Sequence, residues 1–355
     1  MKIALIGGGI NGIMTAWELC KYNHDVTLFE KNTLMSQTSS SSSKLLHGGL
    51  RYLENFEFRL VKEALRERQW WINQAPDLAQ SLKIFIPVYK DSRRSAWLYK
   101  IGLYLYDLLA GKQNIGKHQN YNKSVMQELC PGLKINGLIK GFSYYDGQMD
   151  DYELGLWAAD QVKQYKNFTS IEKTPILRVD VNGKIFYKGN KKQFDKVINV
   201  AGPWAYQLLE DSDIDSNYKL DLVRGSHVIV NRKHDHGYFL EVPDDRRIFF
   251  VLPFKGQTLI GTTEVRQKIS DEIKITKSEI HNLLTAYNNY FINSIKEEDV
   301  VDSFAGLRPL VKSSKDINKA SREYAIQTNK NLISVFGGKW TTARQLAKKI
   351  VKTIT

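Results

Sequence analysis

The sequence contains few of the residues that build disulfide frameworks or zinc sites. Its 355 residues include two cysteines, Cys20 and Cys130, which do not have CxxC spacing. A disulfide scaffold is therefore not expected, and this cysteine usage is typical of a reducing compartment. The segment His234-Asp235-His236 has no accompanying ligands, so we interpret it as a charged loop and predict no metal site.

Long apolar runs are also missing. No stretch approaches the ~18 uninterrupted apolar residues that a membrane-spanning helix needs. The apolar run after Lys2 lasts four residues and then breaks into glycines, which does not fit a secretory signal. These two absences predict a cytoplasmic protein, or a peripheral one that contacts the inner face of the cytoplasmic membrane without crossing it.

The charged residues show a surplus of positive charge. Lys and Arg total 51 against 38 Asp and Glu, which gives a formal net charge of +13. This balance favours an anionic partner, either a phosphorylated metabolite, an anionic membrane surface or nucleic acid. The lysines are scattered, so background composition is an equally good explanation, and no known nucleic-acid-binding module accompanies them. We expect no nucleic-acid partner.

The N-terminus has the pattern of a βαβ unit. Residues 2–6 read as a buried parallel strand, a glycine-rich turn follows, and a helix is predicted over 13–21. Residues 24–30 then form a second strand of apolar and aromatic character. This order of elements is the one that binds dinucleotides.

Three glycines and one acid in this unit have the spacing of a dinucleotide site. Gly7, Gly9 and Gly12 match G-x-G-x-x-G, which permits a tight turn, close approach to a pyrophosphate and close helix–strand packing. Glu30 follows Gly12 by 18 residues, near the ~20 expected for an acid that binds the adenosine ribose. We predict dinucleotide binding. FAD and NAD stay open at this point, whereas the acid argues against NADP.

A serine-rich stretch over 36–43 leads into a dense motif over 44–54. Serine-rich composition usually indicates a flexible linker. Here the run is short and follows a cofactor strand, and small hydroxyl residues let a backbone lie close to phosphates and to a flavin. The string from Thr38 to Glu54 resembles the FAD-contacting segment of the flavin-dependent glycerol-3-phosphate dehydrogenases.

Later segments resemble the same family. Residues 195–205 resemble the strand that completes the FAD site in the wider amine- and hydroxy-acid-oxidising superfamily, and 306–310 resemble a substrate-site turn. The last strand is predicted over 331–336. The junction over 337–344 can aim a helix N-terminus at the flavin pyrimidine, where its partial positive charge stabilises the reduced flavin. Family members usually carry a further C-terminal helical domain, and the resemblance ends at Thr355 without it.

The resemblance implies FAD as the cofactor and sn-glycerol 3-phosphate as the substrate. The implied reaction is its oxidation to dihydroxyacetone phosphate by hydride transfer to the flavin, with electrons passed to a quinone. Oxygen as the acceptor, as in an oxidase, is an alternative that the sequence does not separate from a quinone. By resemblance, the cofactor-binding residues are Gly7, Gly9, Asn11, Gly12, Glu30, Ser42, Ser43, Lys44, Leu46, His47, Gly48, Gly49, Ala201, Gly202, Trp204, Gly338, Lys339, Trp340 and Thr341.

Substrate anchoring needs cations that neutralise a phosphate. Guanidinium groups bind phosphate in bidentate fashion, and lysine adds a compact charge. By resemblance, the substrate-anchoring residues are Arg51, Tyr52, Arg322 and Lys339. The alternative is that one or two of them are surface salt-bridge partners, Arg322 first among them.

Oxidation of a secondary alcohol also needs a base that accepts the hydroxyl proton. Histidine titrates in the right range, and His227 is the strongest candidate for this catalytic role. Arg308 is expected beside the reacting oxygen, and Glu264 is expected to orient His227. His47 is predicted to lie against the isoalloxazine ring. For a lone histidine such as His227, a structural role is the alternative.

These elements predict an α/β fold, with a Rossmann-type FAD-binding lobe and an inserted α+β substrate lobe built on an antiparallel sheet. Short apolar runs at 221–230, 248–253 and 258–262 supply the strands of that sheet. The predicted boundaries are 1–75, 146–206 and 301–355 for a discontinuous FAD-binding domain, and 76–145 and 207–300 for the substrate domain.

The segment 90–118 has the composition of an interfacial helix. A helix predicted from Trp97 to Leu109 is apolar and aromatic. The basic residues in and around it are Arg93, Arg94, Lys100, Lys112 and Lys117. Such a helix binds at a membrane surface, and the similar dehydrogenases are peripheral membrane enzymes. The alternative is a packed core helix with solvated basic ends.

Two other functions stay open. An amino-acid or hydroxy-acid oxidase on the same fold needs a carboxylate site with one arginine and does not need a cluster of cations. A non-catalytic FAD-binding module would bind the cofactor without turnover, although the retained string of site residues argues against a decayed enzyme.

Overall fold

The computed structural model of the protein describes residues 1–243, 245, 247–313 and 324–354. Within these residues, the α-helices are α1 (Ile10–Lys21), α2 (Phe58–Gln74), α3 (Ala96–Ala110), α4 (Lys123–Leu129), α5 (Asp151–Lys163), α6 (Ala205–Glu210), α7 (Lys277–Tyr290) and α8 (Ala343–Lys352). The β-strands are β1 (Lys2–Ile6), β2 (Asp25–Phe29), β3 (Leu45–Leu46), β4 (Ala79–Tyr89), β5 (Gln119–Tyr121), β6 (Leu138–Met149), β7 (Phe168–Ile171), β8 (Arg178–Val179), β9 (Lys184–Tyr187), β10 (Asn190–Gln193), β11 (Lys196–Asn199), β12 (Tyr218–Val230), β13 (Gly237–Glu241), β14 (Ile248–Phe254), β15 (Gln257–Gly261), β16 (Val265–Arg266), β17 (Val300–Ser313), β18 (Tyr324–Asn329) and β19 (Leu332–Gly337).

Six strands of the described chain form one sheet, in the order β18-β19-β11-β1-β2-β7. Strand β1 is parallel to β2 and β11, β11 to β19, and β2 to β7, whereas β18 is antiparallel to β19. Parallel neighbours need crossover connections, and α1 supplies the first of them. This helix begins at Ile10, three residues before the predicted start, because the extended Gly9 is its N-cap.

Alternate residues of β1 lie in two separate cores, one on each face of this sheet. Ile3 and Leu5 pack with side chains of α1, α5 and α8, whereas Ala4 and Ile6 pack with side chains of α6. Because both faces are covered, the strand reads as a continuous apolar run. The carboxyl ends of the strands are then the edge at which a ligand site can form.

A second, larger sheet runs in the order β16-β12-β15-β14-β13-β4-β6-β3, with β17 paired to β12 and β5 paired to β6. Neighbouring strands in it are antiparallel, except that β13 is parallel to β4. One face packs against α4 and α7, and the other packs against α2 and α3. Strand β17 belongs to this sheet by its pairing with β12, although the sequence-based boundary at residue 301 assigns it to the cofactor lobe. That boundary stays a prediction.

Helix α3 has one buried apolar face and one exposed apolar face. Tyr99, Leu103 and Tyr106 are buried against the second sheet. The exposed large apolar side chains of α3 are Trp97, Leu98, Ile101, Tyr104 and Leu108. Among the residues that the structure describes, no helix combines the length and the apolar character needed to cross a bilayer.

A buried ion pair ties the last helix to α2. Arg344 Nε and Nη2 donate to the two carboxylate oxygens of Glu67, both at 2.8 Å. Glu67 has no exposed surface, and Arg344 Cζ lies 4.3 Å from the ring centroid of Trp70. A carboxylate this deeply buried depends on its partner for charge compensation.

The variant Arg344→Met is expected to lower the free energy of unfolding by about 3–5 kcal/mol, because the Glu67 carboxylate stays buried without its partner. The double variant Glu67→Leu/Arg344→Met should recover most of this loss, since apolar replacement of a whole buried pair is often neutral. Urea denaturation followed by far-UV circular dichroism measures both. A double variant no more stable than Arg344→Met would contradict this account.

Candidate active site

One cavity lies at the carboxyl ends of β1, β11 and β19, where the two sheets meet. Its volume is about 520 Å³. The predicted cofactor residues that line it are Gly7, Gly9, Asn11, Glu30, Ser42, Ser43, His47, Ala201, Gly202, Trp204, Gly338, Lys339, Trp340 and Thr341. The predicted catalytic residues His227 and Arg308 and the predicted anchor Tyr52 line the same cavity. Residues from both ends of the chain therefore meet in one place.

The other predicted residues do not line the cavity. Gly12 packs α1 against β1, since a Cβ at this position would lie 1.9 Å from the carbonyl oxygen of Gly7. The other predicted cofactor residues outside the cavity lining are Lys44, Leu46, Gly48 and Gly49, and all four are buried. Arg51 is exposed, and Arg322 lies outside the described residues.

The carboxylate of Glu30 holds the glycine-rich turn. Its Oε2 accepts from Gly8 N at 2.7 Å, and its Oε1 accepts from Asn32 N at 2.8 Å. Each carboxylate oxygen can accept a further hydrogen bond, so the same group can also bind a ribose hydroxyl. Ser39 Oγ accepts from Ile10 N at 3.0 Å in the first turn of α1. Sequence reasoning had noted the serine-rich stretch but not this individual residue.

Beyond Glu30, the cavity extends to Trp204 and Lys31. The Nζ atom of Lys31 lies 3.3 Å from the Trp204 ring centroid, and residues 174–176 also line the cavity here. Sequence reasoning named Trp204 but missed Lys31 and this segment. The segment follows β7, and only the pairing of β7 with β2 brings it to the site.

A buried ion pair orders the serine-rich stretch. Lys44 Nζ lies 2.5 Å from Asp151 Oδ1, and Ser42 donates to Asp151 Oδ2 from its N at 2.9 Å and from its Oγ at 2.7 Å. Lys44 Nζ also donates to the carbonyl oxygen of Ser40 at 2.7 Å. Burial raises the pKa of Asp151, although Lys44 and Ser42 act in the opposite direction. Hydrogen bonds therefore fix the serine-rich stretch along the cavity. Sequence reasoning missed Asp151.

A second buried ion pair supports the turn that follows. Gly48 N donates to Tyr106 Oη at 2.9 Å and to Asp146 Oδ1 at 3.2 Å. Arg68 Nη1 donates to the same Asp146 oxygen at 3.0 Å. Burial lowers the pKa of the adjacent His47, an effect that the charge of Asp146 opposes. The position of His47 in the cavity therefore depends on two helices, α2 and α3.

His227 is nearly fully buried, and two neighbours fix its ring. Nε2 lies 2.9 Å from Ser43 Oγ, and the ring stacks on Phe304 with centroids 4.9 Å apart. Nδ1 has no hydrogen-bond partner among the described residues. Burial, together with the charges of Arg308 and Lys44, lowers the pKa of His227 to about 3. The imidazole is therefore neutral at physiological pH.

Arg308 brings a positive charge to the cavity wall. Its Nη2 donates to Thr263 O at 3.2 Å, and its Nη1 lies 3.6 Å from Glu264 Oε1. Nε is buried and has no partner in the part of the chain that the structure describes. Burial lowers the pKa of Arg308, but a guanidinium stays charged. The prediction that Glu264 orients His227 is not met: Glu264 faces Arg308, and the contact to His227 comes from Ser43.

The predicted substrate anchors that the structure describes lie near Arg308. Lys339 Nζ is 3.8 Å from the ring centroid of Tyr52, and the Tyr52 ring is 6.4 Å from the His47 ring. Burial is the main cause of the lowered pKa of Arg308, and the charge of Arg51 acts in the same direction. This end of the cavity therefore combines several positive charges with a neutral histidine.

Three buried polar atoms of cavity-lining residues have no partner within the described residues, and they are Asn11 Oδ1, His227 Nδ1 and Arg308 Nε. A buried polar group left unsatisfied costs about 1–3 kcal/mol, so these atoms indicate a bound ligand. The N-terminus of α1 suits a pyrophosphate, and the Trp204 ring offers a flat surface at the far end. The residues present therefore fit FAD.

The sequence predicts no metal site. In the part of the chain described by the structure, no group of three or more His, Cys, Asp or Glu side chains is arranged to hold a metal ion. His234 Nε2 instead lies 2.9 Å from Tyr287 Oη, and burial lowers the pKa of His234 to about 4.

Comparison with known proteins gives a consistent picture. Residues 2–352 match the DAO family, described as FAD dependent oxidoreductases. The chain is 35% identical over 372 residues to the aerobic glycerol-3-phosphate dehydrogenase of Escherichia coli (strain K12). The alignment covers 99% of this chain and 73% of the relative. It is also 35% identical over 364 residues to the D-erythritol 1-phosphate dehydrogenase of Brucella abortus (strain 2308). That alignment covers 97% of this chain and 72% of the relative.

Solved structures share the fold. The glycerol-3-phosphate dehydrogenase from Bacillus halodurans, complexed with FAD, superposes on 100% of this chain with a TM-score of 0.79 and 24% identity, and the chain spans 64% of that structure's length. The L-alpha-glycerophosphate oxidase from Mycoplasma pneumoniae, with FAD bound, superposes on 99% of this chain with a TM-score of 0.78 and 20% identity, and 94% of that structure is covered.

These matches confirm the predicted fold class, a Rossmann-type lobe combined with a lobe on a largely antiparallel sheet. They also confirm FAD as the cofactor, because the family of FAD dependent oxidoreductases matches nearly the whole chain. The chain belongs to the FAD dependent oxidoreductase family, on the branch that includes the glycerol-3-phosphate dehydrogenases.

Proposed function

We propose that this protein oxidises sn-glycerol 3-phosphate to dihydroxyacetone phosphate with FAD and passes the electrons to a membrane quinone. The observation that carries the proposal is the guanidinium of Arg308 on the cavity wall near the neutral imidazole of His227, with Lys339 on the same wall. A cation near a proton acceptor suits a substrate that has both a phosphate and a secondary alcohol. Relatives named as glycerol-3-phosphate dehydrogenases support this substrate.

Different residues of the site bind the phosphate and the reacting oxygen of the substrate. Bound FAD supplies the acceptor for the hydride from carbon 2. We assign the phosphate to Arg51, Tyr52 and Lys339, and the reacting oxygen to Arg308, whose Nε still has hydrogen-bonding capacity. Arg322, outside the described residues, keeps its predicted role as an anchor.

His227 is the group to which we assign the hydroxyl proton. In the tautomer in which Nε2 donates to Ser43 Oγ, Nδ1 is an acceptor. Nδ1 is also the ring nitrogen that has no partner among the described residues. Stacking on Phe304 holds the ring in one orientation, and Nδ1 would accept the proton of the substrate hydroxyl.

The exposed face of α3 supports contact with a membrane. Trp97, Tyr104 and Leu108 are 65%, 61% and 64% exposed. A contiguous apolar patch of this kind typically marks an interaction surface. Lys100 and Lys112 are exposed in and beside the same helix, as expected for contact with anionic headgroups. A protein held at the membrane in this way can pass electrons to a quinone.

Arg94, one of the predicted lipid-facing cations, has another role. Its Nε lies 2.5 Å from Glu54 Oε1, and its Nη1 lies 3.3 Å from Glu241 Oε1. Arg94 therefore attaches the start of α3 to the protein. We assign contact with lipid headgroups to the remaining basic residues of the segment.

Under anaerobic conditions, sn-glycerol 3-phosphate is expected to bleach the bound flavin, whose oxidised bands lie near roughly 370 and 450 nm. The variant Arg308→Gln should lower kcat/KM for this substrate by about 10²–10³-fold, because a charged donor at the reacting oxygen is lost. Steady-state assays with a soluble dye acceptor measure this ratio. Arg266→Gln, at an exposed arginine paired with Asp221, is the matched control and should stay within about twofold.

Other outcomes of the bleaching experiment are informative. Bleaching by D-erythritol 1-phosphate and not by glycerol 3-phosphate would keep the phosphate site and change the substrate. Bleaching by an amino acid or hydroxy acid alone would overturn the proposed function. A bound flavin that none of these compounds reduces would indicate a non-catalytic module.

The neutral state of His227 should be visible in the pH dependence of stability. Its pKa is about 3 in the folded protein against an ordinary value of 6.5. Below pH 6.5 the unfolded chain binds a proton that the folded protein excludes until about pH 3, so the free energy of unfolding falls as the pH decreases. In His227→Gln this slope, measured by urea denaturation between about pH 6 and pH 4, should be smaller by about 1.4 kcal/mol per pH unit. Equal slopes would contradict a neutral His227.

The double variant Trp97→Ala/Leu108→Ala should bind anionic vesicles at least about tenfold more weakly than wild type, because burial of each side chain contributes about 1.5–3 kcal/mol. Co-sedimentation with phosphatidylglycerol vesicles measures binding, with phosphatidylcholine vesicles as the neutral comparison. Tyr22→Ala/Ile292→Ala, which removes exposed apolar side chains elsewhere, is the matched control. Equal binding by the two double variants, or none by the wild type, would refute the membrane role of α3.

A further inference from the structure

The carboxylate of Glu279 is buried behind the site and collects hydrogen bonds from several segments. Glu279 lies in the first turn of α7 and is 5% exposed. Its Oε1 accepts from Ser226 Oγ at 2.8 Å and from Thr263 Oγ1 at 2.7 Å. Its Oε2 accepts from Arg224 Nη2 at 2.7 Å and from Thr276 N at 3.0 Å. The group therefore joins α7 to β12 and to the segment after β15.

These contacts exceed what a helix cap needs. In the capping box of α7, Glu279 pairs with Thr276 and uses only its Oε2 for this purpose. Oε1 is left for Ser226 and Thr263. Burial by itself raises the pKa of Glu279, but the hydrogen bonds from Thr263, Thr276, Ser226 and Arg224 together lower it to about 2. The carboxylate is ionised at physiological pH, and its charge compensates that of Arg224, which is itself buried.

Thr263 connects this carboxylate to the guanidinium of Arg308. Thr263 Oγ1 accepts from Ser226 N at 3.0 Å, and Thr263 N donates to Ser226 O at 3.2 Å. Thr263 O in turn accepts from Arg308 Nη2 at 3.2 Å. Ser226 directly precedes His227 in β12. One carboxylate thus constrains the backbone beside His227 and the carbonyl that holds Arg308.

The second support of Arg308 is weaker. Its pair with Glu264 is 3.6 Å long, and the two side chains are 38% and 40% exposed. Ion pairs this exposed contribute about 0–1 kcal/mol. The buried Glu279 carboxylate holds Thr263 through its Oγ1. The Thr263 carbonyl is therefore a stronger constraint on the Arg308 guanidinium than Glu264 is.

We propose that Glu279 is a positioning residue that acts through Thr263 and Ser226 to hold Arg308 and His227 in their relative positions. The inference rests on the proposed function for the roles of Arg308 and His227 in the reaction. Glu279 itself does not line the cavity. Loss of its charge should free the Thr263 segment, and the guanidinium should then no longer point at the reacting oxygen.

Hydrogen exchange tests the positioning without any substrate. In the FAD-loaded protein, Glu279→Gln is expected to raise the exchange rates of the Ser226 and Thr263 amides at least about tenfold, because the mutual hydrogen bonds of these residues lose their anchor. Glu241→Gln is the matched control, since Glu241 is a buried carboxylate of the same sheet that accepts from Tyr99. It should leave these two amides unchanged. Unchanged exchange in Glu279→Gln would overturn the inference.

A double-mutant cycle then separates positioning from a general loss of stability. Glu279→Gln should lower kcat/KM for sn-glycerol 3-phosphate about 10–100-fold when Arg308 is present, but by a clearly smaller factor in Arg308→Gln, because the connection through Arg308 is already cut and only the one through Ser226 to His227 remains. Equal losses in the two backgrounds would overturn the inference. Thr263→Val removes Oγ1 with little change of shape and should show the same coupling, which protects the test if Glu279→Gln folds poorly.

The two measurements distinguish a wrong proposed function from a wrong positioning role. If Arg308→Gln leaves kcat/KM unchanged, the proposed function fails at its anchor. Hydrogen exchange still decides whether Glu279 holds the Thr263 segment. If exchange rises in Glu279→Gln but the cycle shows no coupling to Arg308, the proposed function stands and the positioning role is refuted.

Discussion

The antiparallel pairing of β12 with β17 is the constraint on which the candidate site depends. Its register sets Phe304 opposite His227 and Gly306 opposite Gly225, with Arg308 farther along β17. A Cβ at Gly306 would lie 2.7 Å from a backbone oxygen of the serine-rich stretch, so the glycine lets that stretch reach the site. A slip of one residue would turn His227 to the other face of the sheet. One register therefore brings His227, its stacking partner and the strand that carries Arg308 together.

Around this strand pair, buried ion pairs fix the segments that form the cavity wall. The pairs behind the site are Lys44–Asp151, Arg68–Asp146 and Arg224–Glu279. A buried ion pair stabilises a fold little more than apolar side chains would, but loss of either partner is costly. In each pair the carboxylate also accepts a hydrogen bond from a loop. Asp151 accepts from the serine-rich stretch, Asp146 from the His47 turn and Glu279 from the Thr263 segment. Their main effect is thus to specify the positions of these loops.

The same charges determine the state of the candidate base. Burial, Arg308 and Lys44 keep His227 neutral, and the cavity end therefore has positive charge without a proton on the imidazole. An anion bound nearby favours the charged form of a base. We expect a bound phosphate to raise the pKa of His227 and so favour the transfer of the hydroxyl proton. Under the proposed function, the charge of the substrate would thus increase the basicity of His227.

The sequence predicts the cofactor half of the site, because the glycine-rich turn, the helix after it and Glu30 are local features whose spacing carries their geometry. It also singled out His227 by its chemistry and, by resemblance, the cationic residues around it. Which groups contact them depends on the tertiary structure: Ser43 rather than Glu264 contacts His227, and Glu279, on a helix distant in sequence, accepts hydrogen bonds from Thr263 and Ser226. These contacts follow from strand register and from the pairing of buried charges. Both depend on residues far apart in the chain, and no local pattern specifies them.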